Sequence, residues 1–166
     1  MKTVVIKELS YFEIKSIYEL DLTKTDIIDC SGCWSCWWKT PGRCINKDLD
    51  EFYTKYLEAD KVVIFSKAVK GFVSGNLKSL FDRIIPLFLP YVEVSTGESR
   101  HVPRYEKYPD IEFYYEGTFA TEEGQLIFED YIYRTFDMFE SKKITVKKIE
   151  EHRGEFDGGV YEYYNS

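Results

Sequence analysis

The chain lacks any surplus of basic charge. Its 166 residues carry 22 Lys and Arg against 29 Asp and Glu, a formal net charge of −7. Binding to a phosphate backbone needs a basic footprint, and no Lys/Arg cluster supplies one locally, so nucleic acid is not an expected partner. Long hydrophobic runs are missing too. The longest apolar stretch, Ile84 to Val92, is interrupted by Pro86 and Pro90 and has about half the length that a bilayer requires. Met1 to Ile6 is too short for the apolar core of a signal peptide. The expectation is therefore a soluble, cytoplasmic protein with no membrane partner. Internal repeats, dinucleotide-binding glycine fingerprints and a Ser/His/Asp or Cys/His nucleophile pattern are also absent, which leaves catalytic residues unassigned.

What is present fits one compact domain. The apolar share of 44% and the charged share of 31% are those of a globular chain able to bury a core. Aromatic residues are abundant, with 14 Tyr, 12 Phe and 3 Trp, many of them after Pro103. All four cysteines fall between positions 30 and 44, as C-x2-C-x2-C-x7-C. In a reducing compartment that clustering points to metal or redox chemistry before structural disulfides.

Taken in order, 2–7 reads as a first strand and the alternation from Ile17 to Leu22 as a second. Only about ten residues separate them, fewer than a parallel crossover normally uses, so an abbreviated crossover and a hairpin-like unit both remain open. The cysteine loop follows, broken by Pro41 and Gly42. Asp48, with Glu51 three residues on, has capping-box spacing for a helix whose apolar stripe is Leu49, Phe52, Tyr53, Tyr56 and Leu57. Lys61 to Phe65 reads as a strand buried on both faces, and Ser66 to Gly75 as a loop. Leu77, Leu80, Phe81, Ile84 and Ile85 mark a second helix stopped by Pro86. Val94 to Asp110 shows no period and is expected to be a long loop. A strand at Ile111–Tyr115, a helix capped by Thr121 and running to about Glu140, and a strand at Ile144–Ile149 complete the chain.

Strands alternating with helices predict an α/β protein with a mostly parallel five-stranded sheet, helices on both faces and an abbreviated first crossover. Ligands of such sheets sit outside the carboxyl ends of the strands. The loops after residues 7, 29, 65 and 116 should therefore form the functional edge.

The segments C-S-G-C-W-S-C, A-D-K-V-V-I-F-S, G-F-V-S-G-N-L-K-S-L-F-D-R and H-V-P-R-Y-E-K-Y-P-D-I carry a resemblance. In this order they resemble the flavodoxin-like NAD(P)H-dependent FMN reductases, closest to their iron–sulfur flavoprotein branch, over roughly residues 28 to 149. The resemblance implies a flavodoxin-like domain over 1–152 with a C-terminal tail at 153–166. It also implies bound FMN, a nicotinamide or protein redox partner, and a homodimer or tetramer. Ser10, the loop residues Ser66, Lys67, Ala68, Val69 and Gly71, and Gly117 with Thr118 would contact the flavin. Some members carry a [4Fe–4S] cluster, for which Cys30, Cys33, Cys36 and Cys44 have suitable spacing. Four thiolates suit zinc as well, and cysteines that hold no metal are the third reading.

Two segments depart from the family. The first strand runs into Glu8, Leu9, Ser10, Tyr11, Phe12 and Glu13, with no glycine turn for a phosphate and carboxylates where a dianion would sit. The loop after Phe65 reads S-K-A-V-K-G where relatives read S-P-x-Y-x-G. Two functions stay open on these residues: electron transfer through FMN with or without a cluster, and a flavin-free relative acting as a binding or subunit protein. Among the other candidates, Trp34, Trp37 and Trp38 could shield a cofactor or cover an interface. His101 could line a site from the long loop, and Asp82–Arg83 reads as a structural ion pair. Lys67 and Lys70 could hold an anion or be solvated. Tyr161, Tyr163 and Tyr164 could pack on a neighbour, and no role is expected of His152.

Overall fold

The computed structural model describes residues 1–9, 14–95 and 97–149. Ser10 and the 153–166 tail, with His152, Tyr161, Tyr163 and Tyr164, lie outside the described residues. Five strands form the main sheet: β1 (Thr3–Lys7), β2 (Tyr18–Asp21), β3 (Lys61–Lys67), β6 (Asp110–Glu116) and β7 (Ile144–Lys148), in the order β2-β1-β3-β6-β7. Every pairing is parallel. Numbered among themselves the strands run 2-1-3-4-5, the flavodoxin-like doubly wound order. A separate antiparallel hairpin, β4 (Phe88–Ser95) with β5 (Glu98–Pro103), stands between β3 and β6 in the chain.

The β1–β2 register, Val4 opposite Tyr18 and Lys7 opposite Asp21, is parallel, so the short crossover is the correct alternative and the hairpin is not. Backbone bonds extend it at both ends: Ile17 N–H donates to Thr3 O and Leu22 N–H to Lys7 O.

Alternation along the strands sorts the core. Val4, Ile6, Val62, Ile64, Ile111, Phe113 and Tyr115 point to one face, where they meet the apolar stripes of α2 (Asp50–Glu58), α3 (Gly75–Asp82) and α4 (Glu122–Met138). All three helices belong to crossovers that advance toward β7, and right-handed connections place such helices on the same face. The β1–β2 connection runs the other way. Leu9 and Ile14 from it pack with Val5, Val63, Phe65, Tyr114 and Ile149 on the opposite face.

The elements follow their sequence signals with two exceptions. Thr121 caps α4 as expected, its Oγ1 accepting from Gly124 N–H at 3.0 Å. Ser74 caps α3 in the same way, accepting from Leu77 N–H. Asp48 does not cap α2: the cap position is Leu49, and the Asp48 carboxylate is turned to Arg83 instead. A buried guanidinium outbids a local backbone donor, because leaving that cation unpaired costs far more than leaving a cap open. The second exception is the expected loop at Val94–Asp110, half of which is the β4–β5 hairpin. Its strands lie outside the main sheet and expose Tyr91, Val92 and Val94, so no apolar/polar alternation marks them. Among the described residues no helix is long and apolar enough to cross a membrane.

Candidate functional site at the carboxyl edge of the sheet

The carboxyl ends of β1, β3 and β6 lie side by side, and a carboxylate sits at their junction. Glu8 follows β1 directly and its N–H donates to Phe65 O. Its side chain accepts from the Ser66 hydroxyl at 2.9 Å, from Lys67 N–H at 3.1 Å, and from the Ser74 hydroxyl in a short bond. Ser66 is fully buried, so this carboxylate supplies the partner its hydroxyl needs.

The two loops expected to contact a flavin are brought together. Ala68 N–H donates to Glu116 O at 2.8 Å, and a Cβ on Gly117 would meet Ala68 O at 2.8 Å. Only glycine allows that approach, with φ at +145°. Val69 and Phe72 exchange backbone bonds across Lys70 and Gly71, both at positive φ, the two-residue turn of a tight hairpin. Lys67, Lys70 and Thr118 are exposed.

The cysteine segment is hung from α3. Asn76, Ser79 and Arg83 lie at i, i+3 and i+7, on the side away from the apolar stripe. Asn76 Oδ1 accepts from Ile27 N–H at 2.8 Å, and its Nδ2 donates to Leu22 O and Thr25 O. The Ser79 hydroxyl donates to Asp29. Arg83 is 1% exposed, donates to Ile28 O, and closes an ion pair with Asp48. Tyr53 Oη donates to Arg83 O at 2.7 Å, tying α2 to the same point. The expected Asp82–Arg83 pair does not form, since Asp82 is paired to Lys78 one turn back. Arg83 is an ion-pair residue, but its partner is Asp48.

Beyond Asp29 the chain coils tightly. Gly32 and Trp34 have positive φ, and α1 (Ser35–Trp38) is a single turn. All four cysteines are free, Cys30 and Cys33 exposed, Cys36 and Cys44 half-buried. They line one small cavity, of about 30 Å³, whose wall includes Arg83 and Trp34. Burial raises the Cys36 thiol, and the charges of Cys44, Cys30 and Cys33 push the same way. Hydrogen bonds from Ser35 and Ser31 lower Cys33. Among the described residues no three His, Cys, Asp or Glu side chains form a ready metal site, so the thiols share a cavity wall and not a finished coordination sphere.

Trp37 donates its Nε1–H to Phe88 O at 3.0 Å and meets the His101 ring at 5.3 Å in a tilted arrangement. Trp34 meets Trp37 edge-on at 5.7 Å, while Trp34 and Trp38 are largely exposed. His101 belongs to β5 and not to a loop. It contacts Leu89 O through Nδ1 and lines an apolar cavity of about 310 Å³ between α3, α4 and the hairpin. Asp82 and Ile85 border this cavity and the cysteine cavity alike.

Sequence reasoning missed Glu8 as a structural tie, along with Ser74, Asn76 and the Asp48–Arg83 pair. A polar stripe at helical spacing opposite an apolar one was a usable signal for Asn76, Ser79 and Arg83. Their partners lie 35 to 55 residues away and left no local trace.

The described residues do not suit an FMN phosphate. The donors that face Glu8, from the end of β3 and the cap of α3, are taken by its carboxylate, and a dianion brought beside it would meet like charge. The cysteine segment offers the donor type of an iron–sulfur cluster, four free thiols beside a buried cation, but as they stand among the described residues these thiols do not converge as its coordination sphere.

No protein-family profile matches the chain. A 69-residue stretch is 39% identical to an iron–sulfur flavoprotein of Methanocaldococcus jannaschii, covering 41% of this chain and 35% of that protein. Eighty-nine residues are 30% identical to an iron–sulfur flavoprotein of Archaeoglobus fulgidus, covering 52% of this chain and 38% of the other. The matches thus span little more than a third of the length of these curated relatives. Among solved structures, the azoreductase AzrA superposes with a TM-score of 0.61 at 12% identity, over 90% of this chain and 86% of its own. An azoreductase from Bacillus anthracis gives 0.61 at 14% identity, over 92% and 88%. These likenesses bear out the flavodoxin-like fold and the resemblance to the FMN reductases on their iron–sulfur flavoprotein side.

Proposed function

We propose that the chain is a redox protein of the flavodoxin-like FMN reductase type, with its electron-transfer site at the cysteine segment. The observation that carries this is the cavity shared by Cys30, Cys33, Cys36 and Cys44 beside the C-terminal end of α3. In this reading the four thiolates hold a [4Fe–4S] cluster, which supplies one-electron chemistry when bound. Arg83 places a fixed positive charge behind the thiolates, offsetting the negative charge that gathers there. Trp34 covers the cavity from solvent, and the α3 bonds to 22–29 hold the segment in place. The redox partner would be another protein or NAD(P)H, with assembly as a homodimer or tetramer and a cytoplasmic location. FMN, supported by the family likeness, would lie against Ser66–Gly71 and Gly117–Thr118.

One observation favours a second reading. Glu8 takes the donors at the end of β3 and the cap of α3, as expected of a relative that has given up the flavin and serves by binding. Anaerobic purification followed by a visible spectrum and iron and zinc analysis separates the two. Broad brown absorbance with about four irons per chain supports the proposal. Stoichiometric zinc would overturn the cluster, and a colourless, metal-free protein that ignores added FMN would leave the second reading.

A further inference from the structure

We infer that Glu8 is an internal anion: its carboxylate fills an anion seat at the flavin edge, so that the edge gains nothing from a ligand's phosphate. The inference rests on the reading of this edge as the flavin's. The seat is built from the Ser66 hydroxyl, the Lys67 backbone N–H and the Ser74 hydroxyl, which converge on one carboxylate. Ser74 is also the N-cap of α3, holding Leu77 N–H, so the anion stands at the positive end of an eight-residue helix. Three donors at a helix start form the kind of set that holds a phosphate. Here the chain brings its own negative charge.

The placement of Glu8 is rigid. It is the first residue after β1, and its N–H donation to Phe65 O continues the β1–β3 ladder. The side chain therefore enters the seat from the strand end itself, where a glycine turn would otherwise leave space. A phosphate dianion arriving here would have to expel the carboxylate from three hydrogen bonds or sit against its charge. The ligand class that escapes both penalties is an uncharged aromatic ring system with a neutral polar tail, such as riboflavin.

The test is a fluorescence titration of the full-length protein with FMN and with riboflavin, beside thermal unfolding with and without inorganic phosphate. The wild-type chain is expected to hold FMN no more tightly than riboflavin, and to be unmoved by phosphate. Glu8→Ala is expected to prefer FMN by roughly tenfold or more and to be stabilised by phosphate, because the donors are freed. Glu8→Gln, which keeps the seat filled but removes its charge, should fall between the wild type and Glu8→Ala in its preference for FMN. If Glu8→Ala does not fold, Glu8→Ser takes its place. A wild-type preference of roughly tenfold for FMN overturns the inference, as does a folded Glu8→Ala that gains neither FMN preference nor phosphate stabilisation. Phosphate stabilisation of Glu8→Ala with no flavin bound to any variant would keep the seat and remove the flavin reading. Iron content, read separately, reports on the cluster alone.

Discussion

Arg83 shows how much one side chain can decide. It is almost fully buried, yet it carries charge, because Asp48 and Ile28 O meet its two terminal nitrogens and Tyr53 holds its carbonyl. Arg83→Ala should cost about 1–3 kcal/mol in urea unfolding, since it removes the bonds to Ile28 O and Asp48 and frees the cysteine segment, while Asp48 itself stays hydrated. A loss below about 1 kcal/mol would mean that the segment is held elsewhere. Gly42 is a second such position. Its φ is +84°, and an added Cβ would lie 2.8 Å from the Tyr105 hydroxyl. Gly42→Ala should destabilise by about 1–3 kcal/mol, and adding Tyr105→Phe should recover the steric part while leaving the backbone strain. At this scale the sequence was only partly readable. The four cysteines and the glycines were visible as types. Glu8 was read as a repulsive charge, and its use as an acceptor for Ser66, Lys67 and Ser74 depends on β1 lying beside β3, which no local pattern encodes.

Among the elements, α3 does the most. One face is apolar, with Leu77, Leu80 and Phe81 buried against the sheet, and that stripe was plain from spacing. The other face holds the backbone of 22–29 through Asn76, Ser79 and Arg83. Asn76→Ala removes three hydrogen bonds at once and should raise amide exchange of Leu22–Ile28 well above that of β3, at a global cost of about 1–3 kcal/mol. Unchanged exchange there would show that the loop is self-supporting. The β4–β5 hairpin marks the limit of reading by periodicity: with apolar residues outside and no sheet to bury one face, its strands carry no alternation. The cap of α2 failed for a related reason, as Asp48 answered a distant arginine and not its own helix.

Over the whole molecule, the sequence order of strands and helices was enough for the α/β class, and the direction of β2 was not. Ten residues between β1 and β2 are compatible with either sense, and the parallel register is set by tertiary pairing. Ion ties at the sheet ends also shape stability against pH. Asp60 accepts from Lys107 and from Lys2 N–H, and these hold its carboxyl down to about 2. Burial would raise Asp21, but bonds from Thr23 and Lys24 outweigh it and bring it to about 2 as well. Both groups are depressed, so their contribution is full above the unfolded value, near ~4, and is lost as pH falls from there toward 2. Unfolding midpoints should fall across that window, and Asp21→Asn should flatten the fall. The central claim is that the four cysteines hold a cluster, and the most direct measurement is electron paramagnetic resonance. The full-length protein, anaerobically reconstituted with iron and sulfide, is passed through gel filtration and reduced. A low-temperature iron–sulfur signal with about four irons per chain is expected, lost or displaced in Cys36→Ser. Iron that washes away, or a signal unchanged in Cys36→Ser, would contradict it.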